Sequence, residues 1–135
     1  MQTAITANSI SPKIIWVGRI LSTLPVLLLC MSGAMKLIQP AGFAEQAAPM
    51  GYKTNVLFWI GIVEIVCTAL YVIPQTAVLG AILLAAYLGG ATATHVRVGD
   101  VFIAPVLVGV LVWGGLYLRD PRMRALIPFR TQEEL

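Results

Sequence analysis

The chain has 135 residues, 59% of them hydrophobic and 11% charged, with a mean hydropathy of +0.87 and a formal net charge of +3. A water-soluble domain carries about a quarter charged residues, so this composition excludes one and predicts an integral membrane protein. Nor does the basic balance indicate nucleic acid. Arg119, Arg122, Arg124 and Arg130 follow an apolar run, a membrane-orientation pattern, with no aromatic-interleaved basic stripe beside them.

Residues 1–13 read as a small, polar, disordered tail. Four apolar segments follow, at 14–35, 56–73, 76–94 and 101–118. At ~1.5 Å per residue each spans roughly the ~30 Å hydrocarbon core. Lipid offers no partners to backbone groups, so the segments must be helical. Barrel strands are excluded by segment length and by the lack of polar–apolar alternation. The first segment is too long for the apolar core of a leader peptide and no A-x-A site follows it, so it reads as a retained helix.

The connections order these helices. Pro74-Gln75 is a tight turn that makes the second and third segments antiparallel neighbours, and 96–100 is almost as short. The link 36–55 contains Pro40, Gly42, Phe43, Pro49 and Gly51 and reads as an interfacial or partly re-entrant stretch packed on the mouth. The expected fold is all-α: an antiparallel, up-down four-helix bundle over 14–118, with a basic tail at 119–135 lying on anionic lipid. An even number of spans puts both termini on one side. Lys13, Arg19 and the tail arginines outweigh Lys36, Lys53 and Arg97 opposite, which predicts cytoplasmic termini.

Glu64 lies in the middle of the second apolar run. An ionisable group at that depth costs a few kcal/mol or more unless paired, protonated or wetted, which makes it the leading functional candidate. Counting from the cytoplasmic segment ends puts Arg19 about 8 Å deep, Glu64 about 14 Å and Tyr87 about 17 Å. On the same count His95 and Lys36 lie about 28 and 33 Å in, at the outer rim. Two polar layers are therefore expected. In the inner one, Glu64 takes Arg19 as counter-ion and Tyr87 as phenol donor. The outer mouth holds Lys36, His95 and Asp100. Direct contact of Glu64 with Lys36 or His95 is not expected without water or a ligand between them.

Gly61, Glu64 and Thr68 share one helical face, as do Tyr87, Ala91, Thr94 and His95. The functional reading is a carboxylate that holds a small polar group or passes a proton; the structural one is an ion pair locking two helices. His95 near Asp100 is either an interfacial residue or a titrating group. Cys30 and Cys67 lie at depths that exclude a bridge, and no Cys/His cluster suggests a metal. Small-residue patches at Ser32-Gly33-Ala34, Ala85-Ala86, Gly89-Gly90-Ala91 and Gly114-Gly115 read as close helix-packing sites. No phosphate loop, nucleophile elbow or dinucleotide fingerprint occurs, and no residue is assigned a catalytic role.

Ser32-Gly33-x-x-Lys36, Pro40-x-x-Phe43, Gly61-x-x-Glu64, Ala91-x-x-Thr94-His95 and Gly99-Asp100 follow one another in a four-span setting. In order and spacing this pattern resembles the DoxX/DoxX-like family of small bacterial membrane proteins, over roughly residues 14–118. The resemblance implies a multi-pass protein of the bacterial inner membrane, with Lys36, Glu64 and His95 as the family-type polar residues. It further implies an accessory subunit or partner in quinone-linked redox, with quinone as the candidate cofactor, a redox protein as partner and no covalently bound group. The alternatives are a carrier or receptor for a small lipophilic molecule, or a non-catalytic tether for another protein.

Overall fold

The fold comes from a computed structural model, which describes residues 10–127. The described chain is helical in the order α1 (Pro12–Ile38), α2 (Phe43–Ala47), a 3-10 turn (Ala48–Met50), α3 (Thr54–Val72), α4 (Ala77–Val98), α5 (Ile103–Arg119) and α6 (Pro121–Leu126). Three of these, α1, α3 and α4, are long and apolar enough to cross a membrane; α5 is apolar with 17 residues. Residues 1–9 and 128–135, with Arg130 and most of the expected N-terminal tail, lie outside the described residues.

Sequence chemistry sets the helix ends. Pro12 opens α1 at its first turn, where a missing N–H removes no helical bond. Gln39 closes it in the left-handed region (φ 46°), and Pro40 cannot continue it. The Gln39 side chain donates to the Thr54 carbonyl at 2.6 Å, tying the end of α1 to the start of α3. Between α3 and α4 the turn is as short as expected, and the Thr76 hydroxyl donates to the Leu70 carbonyl at 2.8 Å. Gly99 ends α4 at φ 71°, a conformation that favours glycine.

The long helices pack in a ring: α1 on α3 and α5, and α4 on α3 and α5. Each turns a narrow stripe inward, such as Gly18, Ser22, Pro25, Leu29 and Gly33 on α1. On α3 the stripe is Leu57, Gly61, Glu64, Cys67, Thr68 and Tyr71. Leu, Ile, Val, Met and Trp residues elsewhere on these helices are exposed, Trp16 and Trp59 among them at 61% and 64%. Such an outer surface suits acyl chains rather than water.

Close approach rests on particular glycines. A Cβ at Gly18 would sit 2.9 Å from the Gly115 carbonyl oxygen, and one at Gly61 only 2.8 Å from the Lys36 Cβ. The small-residue expectation needs correction elsewhere. Nothing lies within 4 Å of a Cβ at Gly89, Gly90 or Gly114, and Ala85 and Ala86 are exposed. The fold uses Gly18, Gly33, Gly61, Gly80 and Gly115, where a neighbouring helix crosses.

The link after α1 packs on the mouth. Arg97 donates to the Met50 carbonyl at 2.9 Å, and the hydroxyls of Tyr52 and Thr94 meet at 2.9 Å. At the other end α6 folds back, with Met123 buried and Arg124 donating to the Tyr117 carbonyl at 3.0 Å.

Candidate functional site

Glu64 is buried, at 1% exposure, on the inward stripe of α3. Its Oε2 accepts from Lys36 Nζ at 2.8 Å, and the same ammonium donates to the Ser32 hydroxyl at 2.5 Å. The Lys36 side chain keeps 19% exposure and that of Glu64 only 2%, so the ion pair is sealed on the carboxylate side. Thr68 donates back to the Glu64 carbonyl at 2.7 Å, satisfying a buried hydroxyl without touching the carboxylate.

This geometry overturns two expectations. Lys36, placed at the outer mouth, is the direct partner of Glu64. Arg19, placed beside Glu64, is exposed and lies over the Trp16 ring at 5.2 Å. The cause is register. Ser22 is level with Tyr71 near the end of α3, so α1 begins about 14 Å beyond α3 on that side. Counting depth from the segment ends therefore misaligned the two helices. Side-chain direction closes the remaining gap. Cα–Cβ bonds tilt toward each helix's N-terminus, so on antiparallel helices Lys36 and Glu64 lean toward one another.

Two matching motifs make room for the pair. Gly61 faces Lys36, and a Cβ at Gly33 would lie 2.6 Å from the Ile65 side chain and 3.6 Å from Glu64 Oε2. Gly-x-x-Lys on α1 meets Gly-x-x-Glu on α3 head to tail, each glycine opposite the other helix's charged residue. The two spacings stand in the sequence, but they point to this contact only once the register of α1 on α3 is known.

Tyr87 approaches from α4, close enough for its phenol to interact with the Glu64 carboxylate. It also lines a groove of about 350 Å3 between α3 and α4, with Leu57, Ile60, Gly90, Thr94 and His95. The shared face expected for Tyr87, Ala91, Thr94 and His95 is a wall of this groove. Glu64 itself lies behind Tyr87, outside the lining. At the mouth His95 Nδ1 meets Asp100 Oδ2 at 3.1 Å, and Asp100 Oδ1 accepts from the Val101 amide at 2.7 Å. The predicted outer trio is thus divided: His95 and Asp100 stay together and Lys36 leaves them. Sequence reasoning missed Tyr52, whose hydroxyl roofs the mouth through Thr94. Among the described residues no cluster of His, Cys, Asp or Glu has the makings of a metal site.

A second polar knot lies about 10 Å further along α3, one heptad from Glu64. The Tyr71 hydroxyl reaches the Val112 carbonyl at 2.7 Å and the Ser22 hydroxyl at 3.0 Å, and Ser22 donates to the Gly18 carbonyl at 2.8 Å. Arg119 lies 4.8 Å over the Tyr71 ring and donates to the Tyr71 carbonyl at 3.2 Å. Arg19 lines a cleft of about 200 Å3 with Arg119 and Asp120 at this end.

A family model, that of the DoxX-like family, matches residues 20–115. No curated protein and no solved structure gives a significant match. The matched stretch includes the α1–α3 crossing, the Lys36–Glu64 pair and the α3–α4 groove.

Proposed function

This chain belongs to the DoxX-like family, and on that footing we propose that it binds a quinone-type molecule in the α3–α4 groove as an accessory subunit of quinone-linked membrane redox. The observation that carries the reading is the position of Tyr87, which lines the groove and brings its phenol near the carboxylate of the buried Glu64. A ring carbonyl at the inner end of the groove accepts from the Tyr87 hydroxyl. Glu64, paired with Lys36, takes a proton relayed by the Tyr87 hydroxyl when the redox partner protein withdraws electrons from the bound quinol. His95 and Thr94 provide polar contacts at the outer end.

In this reading α5, at 17 residues, supplies the fourth span of an antiparallel bundle, within the ~17–25 residues a crossing takes. Both termini lie in the cytoplasm, supported by Lys13 and the tail arginines, and the membrane is the bacterial inner one. The polar mouth favours a second reading, a carrier whose ligand passes His95 and Asp100.

Native mass spectrometry of the detergent-solubilised protein tests the proposal. Wild type should retain quinone, while Tyr87→Phe and Glu64→Gln should lose most of it. Retention of a different lipophile would favour the carrier. An empty wild type, with Glu64→Gln changing stability alone, would refute binding and leave a tether.

A further inference from the structure

We propose that the ligand of the α3–α4 groove is an amphiphile that enters sideways from the bilayer, its apolar tail lying along α3 in a second groove. This rests on the reading of the α3–α4 groove as a ligand site. The second groove, of about 220 Å3, is lined by Val56, Trp59, Ile60, Val63 and Tyr87. It shares Ile60 and Tyr87 with the first groove, so the two are adjacent and a ligand spanning both passes these two side chains. Val56, Trp59, Ile60 and Val63 follow i, i+3, i+4, i+7 spacing, one face of α3 over about 10 Å.

Chemistry grades along this path. Tyr52, Thr94 and His95 line the mouth, whereas only Tyr87 and the Trp59 indole bring polar side-chain atoms to the side groove. Val56, Trp59 and Val63 are 41%, 64% and 51% exposed on the surface that would meet acyl chains. The mouth, by contrast, is crossed by the Tyr52–Thr94 and Arg97–Met50 bonds and carries polar side chains that suit a head group better than a tail. The larger groove alone is near the lower limit of ligand-site volumes, ~300–1,000 Å3, and the side groove alone is below it; together they fall well inside. A polar head against Tyr87 and His95 with a prenyl or alkyl tail past Val63 fills both.

The test compares binding of a tail-less benzoquinone and a decyl-tailed one to the full-length protein in nanodiscs. The decyl tail should raise wild-type affinity at least about tenfold, since each buried methylene adds to transfer free energy. Val63→Trp should cancel that gain and leave tail-less binding unchanged. Leu79→Trp, an equally bulky change on α4 outside both grooves, should match wild type and so controls for partitioning and folding. Equal affinity of the two quinones, or an equal loss of both in Val63→Trp, would overturn the tail groove while the ligand site stands. No binding of either quinone to wild type would refute the ligand site itself, and the tail groove with it.

Discussion

Two polar centres on the inner face of α3, one heptad apart, are treated in opposite ways. Around Tyr71 the hydroxyl, the Ser22 side chain and the Val112 carbonyl satisfy one another, and a cation caps the ring. Around Glu64 the carboxylate has one strong partner on one oxygen, and the phenol beside it faces a groove. The Tyr71 knot ties α1, α3 and α5 through hydrogen bonds among its own hydroxyls and carbonyls, and Arg119 Nε, on the capping cation, stays buried without a partner. At Glu64 the mark of a working site is a buried ionisable side chain close to a groove.

Substitutions can break or sharpen this contrast. Gly61→Leu should have the largest effect, because its side chain would enter the space of Lys36 and separate α1 from α3 at the ion pair. A loss above about 3 kcal/mol, from overpacking plus the broken pair, should appear as failure to recover monodisperse protein by size exclusion. Lys36→Met comes next: stranding Glu64 should cost roughly 3 kcal/mol in a denaturant titration. The double variant Lys36→Met/Glu64→Leu should regain most of that stability yet bind no quinone, which separates fold from function. Tyr71→Phe should cost about 1 kcal/mol and leave ligand retention unchanged. His95→Ala should shift stability least, under about 1 kcal/mol, because its partner Asp100 is exposed.

The order of the apolar helices, the tight Pro74-Gln75 turn and the strap over the mouth were legible in the sequence, because hydropathy and turn chemistry are local properties. The full 27 residues of α1 were not, since its ends run past the apolar stretch. Glu64 was legible for the same reason: a lone acid in an apolar run needs no neighbour to be noticed. Its partner was not. Choosing Lys36 over Arg19 depended on how far α1 slides past α3, and that is set where Gly33 meets Ile65 and Gly61 meets Lys36. Glycines do not announce which helix they will meet: Gly89 and Gly90 look as suitable as Gly33 yet have no neighbour to receive.

α1 has 27 residues beside partners of 19 and 17. At ~1.5 Å per residue α1 is about 40 Å long, more than the ~30 Å hydrocarbon core, so its Lys13 and Arg19 end overhangs α3 and reaches the headgroup zone. That overhang gives the protein a basic collar on one side, a place where anionic headgroups rather than acyl chains meet it.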